Sequence, residues 1–168
     1  MSELKIYKMN PNATMPVFGT SGSACFDLTA CLINSEITGF NDAGSKPFVK
    51  KLNSNGALVV YPNERILVPT GLIFDIPDKH CVKLYARSGL AFKKGLTLAN
   101  GIGIIDSDYV EEIKIILHNS SDMNCIINNG DRISQGEMVK CLPYTLTETE
   151  ERPERKTERD GGFGSTGS

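Results

Sequence analysis

The 168-residue sequence predicts an all-β fold, a sandwich or barrel of short strands with one short helix and a flexible C-terminal arm. Three observations carry that expectation. Short apolar runs of strand length recur along the chain, clusters of Gly, Asn, Asp and Pro punctuate them, and from Thr145 the composition becomes almost wholly polar and charged. Many short strands separated by turns fit a sandwich or a barrel better than any helical architecture.

The elements follow in order. The opening "MSELKIYKMN" has no apolar signal core, so an intracellular protein is expected. "SACFDLTA" sets Asp27 among small and apolar residues. Residues 39–56, rich in Gly, Asn, Ser and Lys, read as a surface excursion, with a hairpin as one form for it. "ERILVPTG", "NCIINNG" and "EMVKCL" are short apolar runs. In "CVKLYA", Val82, Leu84 and Ala86 alternate with Cys81, Lys83 and Tyr85, and "EIKIILH" puts Ile113, Ile115 and Leu117 on one face. Turns are expected at Asp42-Ala43-Gly44, Asn55-Gly56, Pro77-Asp78 and Asn129-Gly130-Asp131. "SGLAFKK", Ser88 to Lys94, is the one helical stretch, with Ser88 as its N-cap. Residues 1–144 make one domain, and 145–168, with no periodic apolar face, make an arm.

Composition excludes several function classes. A net charge of -2 leaves no basic footprint for stable nucleic-acid binding, so a phosphate-rich ligand would need local cations or a metal ion. No apolar run approaches the roughly 18–20 residues that span a bilayer. Five scattered cysteines without a C-x-x-C pair read as reduced and mostly buried, and with His80 and His118 alone beside them they argue against a protein-held zinc ion.

The chemistry gathers in a few stretches. Arg87 and Ser88 open the expected helix, where a guanidinium, a hydroxyl and backbone N–H groups suit a phosphate. "NGIGIIDSDY" puts Asn100 in a turn and Asp106 after two isoleucines; in a strand, Asp106 and Asp108 share one face, and partial desolvation would make Asp106 a stronger base for activating water. "GDRISQ" offers Arg132 and Gln135. Taken singly each stretch has a plainer reading: a capping Ser88, a solvated Arg87, a solvent-facing Asp-Ser-Asp turn, a strand-end Asp27, and a hairpin pinned by Arg132 and Gln135. The terminal "GGFGSTGS" spells G-x-G-x-x-G with no room for the helix a dinucleotide loop requires. It is either an inert tail or a lid whose glycines hug phosphates while Phe163 covers a planar base.

Together and in order, "SACFDLTA", "ARSGLAFKKG", "NGIGIIDSDY", "GDRISQ" and "GGFGSTG" resemble the five motifs of the trimeric dUTPase family, the dUTP diphosphatases. The resemblance implies a jelly-roll-like β-barrel and homotrimers with three active sites at subunit interfaces. It implies hydrolysis of dUTP to dUMP and pyrophosphate by water attacking the α-phosphorus, keeping uracil out of DNA and supplying dUMP. Mg²⁺ would be held by the substrate phosphates, with Asp27 in its water shell. Asp106 matches the carboxylate that activates the water. Asn100 and Gly103 match the uracil-reading hairpin, and Tyr109 the aromatic beneath deoxyribose. Arg87, Ser88, Gly89 and Gln135 match phosphate contacts. Phe163 matches the ring that stacks on uracil, with Gly164, Ser165 and Thr166 around the phosphates.

Three positions depart from the family pattern. Cys25 replaces a motif-one glycine, Glu111 replaces a motif-three glycine, and Glu158 stands where an arm arginine reaches the γ-phosphate, with Arg159 one place later as the substitute. Two other readings share this scaffold. A dCTP deaminase would need a further carboxylate, for which Glu111 and Glu137 are the candidates although both read as solvated. A catalytically weakened regulator would use residues 39–56 to meet partners.

Overall fold

The computed structural model describes residues 2–41 and 46–158. Its strands are β1 (Lys5–Lys8), β2 (Val17–Phe18), β3 (Phe26–Thr29), β4 (Thr38–Phe40), β5 (Phe48–Val49), β6 (Leu58–Val60), β7 (Arg65–Pro69), β8 (Leu72–Asp75) and β9 (His80–Tyr85). Helix α1 (Ser88–Lys94) follows, then β10 (Leu96–Leu98), β11 (Gly103–Ile105), β12 (Lys114–Asn119), β13 (Cys125–Ile127) and β14 (Arg132–Lys140). One five-stranded sheet runs β10-β12-β7-β4-β5 and a second runs β11-β9-β14-β3-β2, with ribbons β1-β8 and β13-β6 beside them. Every pairing is antiparallel, which makes the architecture all-β and jelly-roll-like.

The period-two pattern places the core. Ile113, Ile115 and Leu117 are buried as expected, together with Ile66, Val68, Leu28, Phe74, Val82 and Leu84 from the other strands. Such side chains each contribute roughly 1.5–3 kcal/mol when removed from water. Outward positions of β9 and β14 (Lys83, Tyr85, Gln135, Glu137) remain half-buried and polar. No helix among the described residues is long and apolar enough to cross a membrane.

Residues 38–49 contain a hairpin in which Thr38 pairs with Val49 and Gly39 with Phe48; the turn expected at Asp42-Ala43-Gly44 lies outside the described residues. The excursion is anchored by a buried ion pair that no sequence pattern announced. Both Glu64 oxygens lie 2.7 Å from Lys50 Nζ, and the ammonium sits 4.0 Å from the Tyr61 ring centroid. Residues 142–158 are exposed and form neither helix nor strand.

The helix begins one residue earlier in capping terms than its sequence implies. Arg87, extended at φ -83° and ψ 125°, is the N-cap, and its carbonyl accepts the N–H groups of Leu90 and Ala91, so Ser88 is the first helical residue and no side chain caps. Gly95 closes the helix with φ 64° and donates to the Ala91 carbonyl, a left-handed turn that favours glycine.

Candidate active site

Two clusters emerge from the second sheet. The first surrounds Asp27, which sits on β3 opposite Gln135 of β14, which in turn pairs with Tyr85 of β9. Asp27 is 6% exposed, and each of its oxygens has a guanidinium partner: Arg87 Nε donates to Oδ1 at 3.0 Å and Arg132 Nη1 to Oδ2 at 3.0 Å. Arg87 Nη1 also donates to the Arg132 carbonyl at 3.1 Å, locking the two arginines together. A buried carboxylate demands such partners, and in return it holds both guanidinium groups in orientation. Ser88 and Gly89 follow on α1, with open space above Gly89. Asp27 is thus neither a solvated strand end nor a free carboxylate.

The second cluster is the β10-β11 hairpin and the turn after it. Gly101 reverses the chain at φ 70°, with its N–H on the Leu98 carbonyl, and Ala99 N–H donates to Ile116. A cavity of about 140 Å³ opens between the two sheets at this edge, lined by Asn100, Gly103, Leu84, Leu98, Ile105 and Ile115 among others. A Cβ on Gly103 would meet the Leu84 Cβ at 3.1 Å, so a side chain there would narrow the cavity. Strand β11 stops at Ile105. Asp106 and Asp108 therefore lie in a turn closed by Tyr109 N–H on the Asp106 carbonyl, and do not share a strand face as expected. Asp106 is also exposed, so its own chain does not supply the desolvation its isoleucine neighbours led one to expect. The Tyr109 hydroxyl donates to the Glu112 carbonyl at 3.2 Å, which restrains the ring.

The strand register separates the clusters. Gly103 pairs with Leu84 and Ile105 with Val82, so Asp106 emerges near Cys81. Burial chiefly raises the Cys81 thiol, a hydrogen bond with Cys141 follows, and the Asp106 charge adds a smaller push, in keeping with that proximity. Arg87 lies six residues farther along this strand direction, about 20 Å at 3.3 Å per residue. One chain thus sets its candidate base and its arginine cluster at opposite ends of β9.

The departures find local accommodation. Glu111 is exposed and is not among the positive-φ residues, so it carries no backbone strain. Glu112 turns inward and accepts the Gly71 N–H at 2.9 Å. Glu137, expected to be solvated, is half-buried and accepts the Tyr85 hydroxyl at 3.1 Å; burial first, then this bond, raises the Tyr85 phenol. Burial, with Glu137 and Asp27 nearby, raises the Cys25 thiol, and three of the five free cysteines are buried. Arg159, Phe163, Gly164, Ser165 and Thr166 lie outside the described residues. Sequence reasoning weighed Arg132 but left it out of the site; the signal that would have found it is a buried Asp27 with two oxygens to satisfy.

The family model described as dUTPase matches residues 51–167. The chain belongs to the dUTPase family. Its activity is the hydrolysis of dUTP. Among curated relatives, the deoxyuridine 5'-triphosphate nucleotidohydrolase of Hydrogenobaculum sp. (strain Y04AAS1) is 36% identical over 165 residues, covering 98% of each chain. That of Wolinella succinogenes is 38% identical over 173 residues, covering 99% of each. Solved dUTPases share the fold. A Staphylococcus bacteriophage 80alpha dUTPase determined with dUpNHpp superposes with a TM-score of 0.74 at 19% identity, over 100% of both chains. A dUTPase of phage phi11 of S. aureus, described for its coordination of a structural Mg(II) ion, gives 0.69 at 19% identity, over 90% of this chain and 99% of that one.

Proposed function

We propose that this dUTPase cleaves dUTP to dUMP and pyrophosphate in sites shared between copies of the chain, which assemble as a homotrimer. The separation of Asp106 from Arg87 along β9 carries the reading. No single triphosphate meets both ends of that strand, whereas the base end of one subunit beside the arginine end of another makes one compact site.

In that site the β10-β11 hairpin reads uracil with its main chain and Asn100, over Gly103. Tyr109 lies beneath deoxyribose and leaves no room for a 2′-hydroxyl. Arg87, Ser88, Gly89 and Gln135 hold the phosphates. Asp106 orients a water for in-line attack on the α-phosphorus and accepts its proton, and the neighbouring subunit supplies the desolvation that the single chain lacks. Phe163 stacks on the base while Gly164, Ser165, Thr166 and Arg159 close over the phosphates. A base of the wrong hydrogen-bonding pattern leaves buried groups unpaired, which discriminates against dCTP.

The donor set fits a magnesium ion that arrives with the substrate. No three His, Cys, Asp or Glu side chains gather as a ligand set among the described residues. Asp27 already accepts two guanidinium bonds, and its remaining lone pairs are suited to a metal-bound water rather than to direct ligation. Bound Mg²⁺ would neutralise phosphate charge as it develops.

The test mixes two inactive variants, Asp106→Asn and Arg87→Met, and follows pyrophosphate release from dUTP. Each alone is silent. After subunit exchange, about a quarter of randomly paired shared sites combine an intact Asp106 with an intact Arg87, and activity returns in that proportion. No recovery in a demonstrably mixed oligomer would show that each chain builds its own site. Parallel assays with dCTP, dTTP and UTP should remain silent with the unmodified protein.

A further inference from the structure

Two thiols on the outer face of the second sheet stand between the arm and the Asp106 turn, and the proposed hydrolysis uses neither. Val139 of β14 lies opposite Cys81 of β9, and Lys140 lies opposite His80. The ladder runs one residue beyond β14, where Cys141 N–H donates to the Lys79 carbonyl at 2.7 Å. Cys141 and Cys81 are therefore diagonal neighbours. Strand alternation directs both side chains to one face, opposite the buried Val82 and Leu84. Continued by one residue, the register of Ile105 with Val82 brings Asp106 against the other flank of Cys81. The side-chain interactions agree: the two thiols share a hydrogen bond, and the Asp106 charge reaches Cys81.

The two sulfurs differ in access. Cys81 is 7% exposed, whereas Cys141 is exposed at the root of the arm. A dissolved oxidant meets Cys141 first, and Cys81 is the thiol placed to resolve the product. The other buried thiols face different partners: Cys125 Sγ donates to the Lys94 carbonyl, and Cys31 hydrogen-bonds with Ser35. Cys141 also sits where the chain can yield, just past the last residue of β14 and opposite a turn residue, Lys79, at φ 60°. A small adjustment there brings the Cβ atoms to the roughly 3.5–4.5 Å that a disulfide needs.

We propose that Cys141 and Cys81 form a modification site for hydroperoxides, and that the resulting disulfide slows the enzyme by displacing the Asp106 turn. The effect on rate rests on the assignment of Asp106 as the base; the oxidation does not. The Cys141 sulfur attacks hydrogen peroxide: an S–O bond forms, the O–O bond breaks, and the thiol proton leaves with the departing hydroxide as water. The Cys81 sulfur then attacks the sulfenic sulfur of Cys141. The S–S bond forms as the S–O bond breaks, and the second hydroxide leaves as water with the Cys81 proton. Two electrons pass from the thiol pair to one peroxide, and an added dithiol reverses the change. Reversible bridges of this kind are compatible with a reducing compartment.

The full chain, first reduced and then treated with hydrogen peroxide, is followed by intact mass, peptide mapping and dUTP turnover. The expected result is a loss of two hydrogens mapped to Cys81 and Cys141, with turnover at least about fivefold lower and restored by dithiothreitol. Cys141→Ser should match the unmodified protein when both are reduced, and should keep its rate after peroxide. Cys81→Ala should leave Cys141 as a sulfenic acid that a cyclic diketone captures. A Cys141–Cys141 bridge between copies, oxidation of other cysteines with this pair still reduced, or a mapped Cys81–Cys141 bridge with undiminished turnover would each overturn the proposal. Turnover by the reduced protein decides the parent reading separately, since mapping the bridge needs no hydrolysis.

Discussion

Replacing Lys50 by methionine isolates the physics that holds the surface hairpin to the barrel. The Lys50 and Glu64 side chains are only 9% and 4% exposed, and the carboxylate receives the ammonium on both oxygens plus the Tyr61 N–H at 2.9 Å. Methionine preserves the stem but leaves the carboxylate with one backbone donor. Breaking a buried pair from one side costs about 3–5 kcal/mol. At roughly 2–4 °C per kcal/mol, Tm should fall by about 6–20 °C. Thermal melts at equal protein concentration measure this, because assembly makes Tm concentration-dependent. Lys50→Met/Glu64→Leu should recover most of the loss. A Tm within 2 °C of the unmodified protein would refute the account.

Three further outcomes follow from the geometry. Asp106→Asn should lower kcat by about 10²–10⁴ without lowering Tm, since the side chain is exposed in its own chain and desolvated only by a neighbouring subunit; rate assays and melts together check this. Gly136→Ala should destabilise by about 1–3 kcal/mol, because its Cβ would lie 2.5 Å from Phe26 Cε2, and melting should show a loss that Phe26→Leu partly rescues. Burial raises the Cys31 and Cys81 thiols above their ordinary value, so the folded chain retains protons that the unfolded chain releases in alkali. The stability this contributes is complete below the ordinary thiol range and is lost as pH climbs through the raised values. Urea midpoints between pH 8 and 10.5 should fall less steeply for Cys31→Ala/Cys81→Ala than for the unmodified chain.

Much of the fold was legible because it rests on local alternation. Ile113, Ile115 and Leu117 declare a strand face without knowledge of their neighbours, and Gly56 and Gly130 mark where the chain can turn. Two local inferences failed for tertiary reasons. Ser88 has the chemistry of a cap, but the Asp27 carboxylate holds Arg87 at the junction, and Arg87 takes the capping position. Asp106 follows two isoleucines, but β11 ends before it and the carboxylate faces out. The Lys50–Glu64 pair left no trace in the pattern, since residues 14 apart in an irregular segment carry no periodic signal.

By itself the sequence determined the all-β class, the one short helix, the polar arm and the order of the five motif stretches, because these depend on residue chemistry and near-neighbour spacing. Only the tertiary structure decided that Asp27 binds two arginines from separate segments and that Asp106 stands far from Arg87. Such placements depend on strand register, where a shift of one residue sends every side chain to the opposite face, and register is set by the whole sheet at once.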